Sequence, residues 1–169
     1  MYMRVNRYAD GCELARFDEL ERLVKYRRGV VVLGMALIAS AAMAHQGVKN
    51  PAVMARMEAM SGVGAEMKTM GEMAKGARPF DADAARAAAT RIAGYAAETP
   101  ALFMAQEDDP KSEARAAIWD DFADFTAKAS DMEQTATQYA GSIETLQDVQ
   151  TALSALGKTC TACHKPYRE

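Results

Sequence analysis

Residues 143–167 read IETLQDVQTALSALGKTCTACHKPY. Ile143, Leu146, Val149, Leu153, Leu156, Cys160, Cys163 and Tyr167 recur at steps of three and four. That spacing is the apolar stripe of an amphipathic helix. Both cysteines continue the stripe in positions Leu would otherwise fill, and His164 follows directly. The pentad Cys160-Thr161-Ala162-Cys163-His164 is C-x-x-C-H, the attachment pattern of a c-type haem. Two thiols three positions apart share one helical face, each able to form a thioether to a vinyl group. The adjacent imidazole supplies an axial iron ligand. Half of a zinc site is the competing reading, but zinc asks for about four ligands. Beyond the N-terminal segment the chain offers these two cysteines and one further histidine, His45. A thioredoxin-like pair belongs in a βαβ setting, and no strand pattern precedes the motif. The haem is therefore expected against a helical core.

Working outward, three more helices are expected. Asn50-Pro51 is a cap followed by proline at the first helical position, and a helix should run from Pro51 to Ala74. Val53, Met57, Met60, Gly64, Met67, Gly71 and Ala74 form its expected seam. Six methionines fall between Met54 and Met73 and read mostly as core filler. Gly76 and Pro79 end that helix. Asp81 caps a second, Ala-rich helix from Ala82 to about Ala97, stopped by Thr99-Pro100. Residues 100–112 form a long connection, whose Glu107-Asp108-Asp109-Pro110 reads as a solvated acidic turn or a docking patch for a basic partner. Ser112 is expected to cap a third helix, Glu113 to Tyr139, with a seam of Ile118, Phe122, Phe125, Ala129, Met132 and Ala136. Trp119 lies beside it, as a core residue or a haem neighbour. Ser142 is expected to cap the last helix. Four such helices with short or moderate connections make an all-α, antiparallel, up-down-up-down four-helix bundle.

The N-terminal part reads differently. Residues 25–44 carry a basic cluster (Lys25, Arg27, Arg28), an apolar run from Val30 to Ala39 and the A-x-A pattern Ala42-Met43-Ala44. This is a cleavable secretory signal, its apolar run shorter than the roughly 20 residues of a spanning helix. Residues 1–24, with Cys12, are an N-terminal extension, from an upstream start codon or an extended basic region. The mature domain is expected to be 45–169, periplasmic, with no membrane segment. A net charge of −3 argues against nucleic acid as partner.

The terminal haem motif, Lys75-Gly76 with Pro79-Phe80-Asp81, Ile118-Trp119, Gly157-Lys158 and Tyr167-Arg168 together resemble the class II c-type cytochromes, the cytochrome c′ and cytochrome c556 family. Cytochrome c′ is itself an established up-down-up-down bundle. The resemblance implies one covalently attached haem c through Cys160 and Cys163, with His164 as proximal iron ligand and Arg168 one turn beyond it. It implies Arg56 as the partner of a haem propionate and Met60 as the distal residue, with Met57 nearby. A ligating Met60 implies a six-coordinate electron carrier with redox partner proteins. An open distal site implies a protein that binds nitric oxide or carbon monoxide. The resemblance also allows a homodimer. No enzyme activity is expected: Glu58 and Glu66 lie off the seam, and His45 lacks partner ligands for copper.

Overall fold

The computed structural model describes residues 47–169, which make up one unit, Gly47–Glu169. The expected secretory signal, the extension with Cys12, and His45 lie outside the described residues. Five helices occur among the described residues: α1 Pro51–Ala74, α2 Ala82–Leu102, α3 Ala117–Asp120, α4 Phe122–Ala140 and α5 Leu146–Tyr167. The four long ones pack as a ring, α1 on α2, α2 on α4, α4 on α5 and α5 back on α1. This is the expected four-helix bundle.

Local chemistry explains most boundaries. The Asn50 side chain accepts from Ala52 N at 2.8 Å and Val53 N at 3.3 Å, and Pro51 lacks the donor that would need a partner. Gly76, at φ +71°, lets the chain leave α1, and Gly76 N and Ala77 N reach back to Met73 O and Glu72 O. Asp81 caps α2 by accepting from Ala84 N.

Four expectations are corrected. First, α2 does not stop at Thr99-Pro100 but runs to Leu102. Pro100 sits so near the end that it removes one ladder bond only, and the Thr99 hydroxyl donates to Tyr95 O at 2.8 Å. Second, the third helix does not begin at Glu113. Residues 113–115 run extended against the C-terminus: Arg115 N donates to Tyr167 O at 3.0 Å and Glu169 N to Glu113 O at 2.9 Å. The helical stretch is then broken at Asp121, which caps α4 through Asp124 N. Third, Thr145, not Ser142, caps α5. Thr145 and Asp148 form a reciprocal capping box, while the Ser142 hydroxyl donates to Gln138 O.

Fourth, the buried stripe of α1 is Val53, Arg56, Ala59, Val63, Met70 and Met73. Met57, Met60 and Met67 flank it half-buried, and Gly64 is exposed. The stripe is rotated by about one residue, roughly 100°, from the expected seam. From α3 to the end of α5 the expected seams hold, with Ile118, Phe125, Ala129, Ala136, Ile143, Val149, Leu156 and Tyr167 buried and Leu146 exposed.

The core has two clusters. One is built from Val63, Met70 and Met73 of α1, the alanines and Ile92 of α2, Ala136 of α4, and Ile143, Val149, Ala152 and Leu156. Small residues beside it let helices approach closely: a Cβ on Gly62 would run into the Tyr95 ring. The second is aromatic, Phe103, Ile118, Phe125 and Tyr167, with Trp119, Phe122 and Cys163 packed against it. It sits at the end of the bundle that holds the motif.

Candidate haem-attachment site

The last two turns of α5 carry the motif. Cys160 and Cys163 are free thiols, both half-buried. Burial pushes both thiols up, so they stay protonated at neutral pH. Cys163 packs into the aromatic cluster. His164 is half-buried, and its pKa is lowered by burial first and by the Arg168 guanidinium second, against the opposing pull of Glu113. The imidazole is therefore held neutral, the form with a lone pair to donate to a metal. Two unlinked thiols on one face of a helix beside a neutral imidazole are the donor set a c-type haem requires. Among the described residues no cluster of three His, Cys, Asp or Glu groups could hold a bare metal ion.

The motif helix is tied down just past His164. Arg168 N donates to His164 O at 3.0 Å, and the Arg168 guanidinium meets the Glu113 carboxylate. Arg168 thus stands beside the imidazole, where the sequence expected it. Tyr167 Oη donates to Asp124 Oδ2 at 2.6 Å, a link that sequence reasoning missed. That bond holds the Asp124 carboxyl below the usual carboxylate range and pushes Tyr167 up to about 12. The signs differ at the two ends of the pH scale. Asp124 contributes stability above its unfolded value near 3.8, lost as pH falls through the lower folded value. Tyr167 contributes stability below its unfolded value of 10.0, lost as pH rises toward 12. Urea midpoints of the native protein should therefore fall faster than those of Tyr167→Phe below pH 4 and again above pH 10. Parallel profiles for the two proteins would show that the bond does not form in solution.

Arg56 is brought to the same end of the bundle but is not a free solvated charge. It is 3% exposed. Its Nε, Nη1 and Nη2 donate to Leu102 O, Glu107 O and Ala105 O at 3.0, 2.8 and 2.6 Å. Two of its five N–H groups are left for a propionate. Trp119 lies over it and donates from Nε1 to Phe103 O at 2.8 Å, so this tryptophan braces the connection after α2.

The acidic turn is likewise structural. Asp109 is 6% exposed and accepts from Lys49 N, Asn50 N and Lys111 N. Glu107 and Asp108 remain exposed, and the Asn50 amide donates to the Glu107 carboxylate and to Asp108 O. The sequence signal for this knot is Asp-Pro in a loop, which reads equally as a plain turn. Met60 and Met57 are half-buried on α1, the helix packed against α5, and neither packs against either core cluster. Glu66 is gripped by Arg91 through two 2.7 Å bonds, and Glu58 is exposed.

Comparison with known proteins agrees with this architecture. A family model described as Cytochrome C' matches residues 51–168. A cytochrome c-556 of Agrobacterium fabrum is 37% identical over 110 residues, spanning 64% of this chain and 75% of that protein. The structure of cytochrome c prime from Shewanella frigidimarina superimposes with a TM-score of 0.63 at 30% identity, over 70% of this chain and 94% of that one. A nitric oxide complex of a cytochrome c prime variant from Alcaligenes xylosoxidans superimposes with a TM-score of 0.61 at 26% identity, over 70% and 94%.

Proposed function

Because the chain belongs to the cytochrome c′ family, a family of covalent haem c proteins, we propose that it is a periplasmic electron carrier whose iron is held by His164 and Met60. Cys160 and Cys163 would anchor the haem as thioethers. The haem supplies the one-electron couple; the chain supplies attachment, axial ligands and a packed surround. A neutral His164 is ready to ligate, and its ring is kept beside Arg168 and Glu113 by the tie between the two chain segments.

The observation that carries the reading is Met60. It stands half-buried on the helix packed against the motif helix, one turn beyond Arg56, whose guanidinium lies against the aromatic cluster of the motif end. A thioether sulfur there is a soft ligand that raises the potential of a His-ligated haem. Export rests on the basic, apolar and A-x-A pattern of residues 25–44. No described helix is long and apolar enough to cross a membrane. Exposed acidic groups such as Glu107, Asp108 and Asp120 suit brief encounters with partners that carry a basic patch.

A second reading has its own support. A relative of similar fold forms a nitric oxide complex, and Met60 would then stand as an apolar plug over an open iron that takes nitric oxide or carbon monoxide. The optical spectrum separates the two. Ferric protein should be low-spin with a thioether-to-iron charge-transfer band, and Met60→Ala should abolish that band and turn the haem high-spin. A high-spin native spectrum, unchanged in Met60→Ala, would remove Met60 as ligand and favour gas binding. A band lost instead in Met57→Ala would move the ligand by one turn.

A further inference from the structure

Arg56 is costly where it is. A guanidinium held 3% exposed is desolvated; among the described residues no carboxylate makes an ion-pair contact with it, and Glu107 and Asp108 offset part of the cost through space. Its partners are three carbonyls of one connection, separated from it by 46 to 51 residues. The Phe103 ring lies 4.6 Å from Cζ on one side and the Trp119 ring 5.4 Å away. Trp119 Nε1 holds Phe103 O at 2.8 Å, so the ring and the loop it braces move together. Asp109, further along the same connection, accepts from the backbone at 49, 50 and 111. Residues 102–111 therefore grip the N-cap of α1 and its second turn, at two heights. Four positions beyond Arg56, about 6 Å along the axis, stands Met60.

We infer that Arg56, Trp119 and Asp109 form a positioning clamp for the distal side, fixing the height and rotation at which α1 presents Met57 and Met60 to the motif helix. The inference deepens the reading of Met60 given above and rests on it for its simplest readout. It assigns Arg56 a task that a propionate contact does not require. A propionate needs one or two N–H groups at the haem edge. The clamp needs three on the loop, aimed in three directions, which an ammonium on a flexible stem does not reproduce. Both tasks are compatible on one guanidinium, so the test must separate them.

The separating residues are Trp119 and Asp109, which act on the loop. The experiment uses the exported holoprotein with Trp119→Phe, Asp109→Asn and Arg56→Lys. Trp119→Phe keeps an aromatic ring at this position and removes the bond to Phe103 O together with part of the indole. Amide hydrogen exchange across residues 52–60 should speed up roughly fivefold to tenfold in Trp119→Phe, the equivalent of one hydrogen bond. The charge-transfer band should weaken and the high-spin fraction rise in the same order of magnitude. Arg56→Lys, which keeps the positive charge, should do both more strongly. If Trp119→Phe and Asp109→Asn leave exchange and band at native values while Arg56→Lys alone shifts them, Arg56 works through a guanidinium contact at the haem edge and the clamp is overturned. If the native protein is high-spin, the ligation reading fails by itself, and the clamp is then read from carbon monoxide association. A several-fold change of that rate in Trp119→Phe sustains the clamp, and an unchanged rate with unchanged exchange overturns it.

Discussion

Phe125→Ala should lower the unfolding free energy by about 3–5 kcal/mol, read as a drop in the urea midpoint at unchanged slope. Phe125 is 3% exposed and stands at the centre of the aromatic cluster. Its centroid lies 5.0 Å from Phe103, 5.5 Å from Tyr167 in an edge-to-face pair and 5.9 Å from Phe122. Transfer of the ring to water costs about 1.5–3 kcal/mol, and each aromatic pair adds about 0.5–1.5 kcal/mol beyond buried area. The cavity adds to both, because its walls are three different elements: the loop after α2, α4 itself and the end of α5. They cannot all close on one void without moving the motif helix. The loss should therefore exceed that of a mutation confined to one element, and it should be accompanied by a perturbed environment at Cys163, which packs on the same cluster. Phe80→Ala is the control, on a side chain 38% exposed, with an expected change within about 0.5 kcal/mol. A loss under about 1 kcal/mol for Phe125→Ala would mean that the cluster repacks freely and does not fix the motif end.

What could be read from the chain follows the range of the interactions. The ends of α1 were legible because their causes are local: Asn50, Pro51 and Gly76 act on amides within a few residues. The place of Cys160 and Cys163 on the apolar stripe of the last helix, with Cys163 packed on the aromatic cluster, was legible for the same reason, since period and motif lie in one stretch. The capping box at Thr145 and Asp148 is local too, written as T-x-x-D, but the break at Gly141-Ser142 is the louder signal and points to the wrong cap. The start of the third helix was not legible. Nothing in residues 113–116 forbids a helix; their partners are Tyr167 and Glu169 at the far end of the chain.

The rotation of the α1 stripe has a different cause. Alanine, methionine and valine occur in both candidate stripes, so hydropathy hardly separates them. An arginine then stands in the stripe that is buried, where no hydropathy argument would put it. Arg56 belongs there because Leu102, Ala105 and Glu107 offer carbonyls and Phe103 and Trp119 offer ring faces. A lone arginine in a sequence announces none of this. The same holds for Asp109, which as one of three acidic residues in a row looks like solvent-facing charge. The motif's place on its helix was thus legible, while the carbonyl contacts of Arg56 and the backbone contacts of Asp109 were not.

His164→Gly should have the largest effect on the iron. The proposed thioethers at Cys160 and Cys163 do not involve the imidazole, so haem should remain attached through them while the proposed axial nitrogen is lost. With one of its two proposed ligands removed, the ferric spectrum should turn fully high-spin. Glycine inside α5 costs about 1 kcal/mol in helix propensity. That sum is modest because Arg168 N bonds the backbone carbonyl at 164, not the imidazole, so the tie to residues 113–115 survives the change. Imidazole added from solution should enter the space left by the ring and restore most of the native spectrum, since the same nitrogen donor returns without its tether. The half-buried position of His164 favours this, because the ring is neither sealed in the core nor free in solvent. Restoration would identify the missing group as the imidazole and exclude a general collapse of the motif end. A His164→Gly protein with an unaltered native spectrum would assign the proximal ligand elsewhere. A high-spin spectrum that imidazole leaves untouched would mean that the surround closes over the site, and the packing of Tyr167 and Asp124 beside it would be the first place to look.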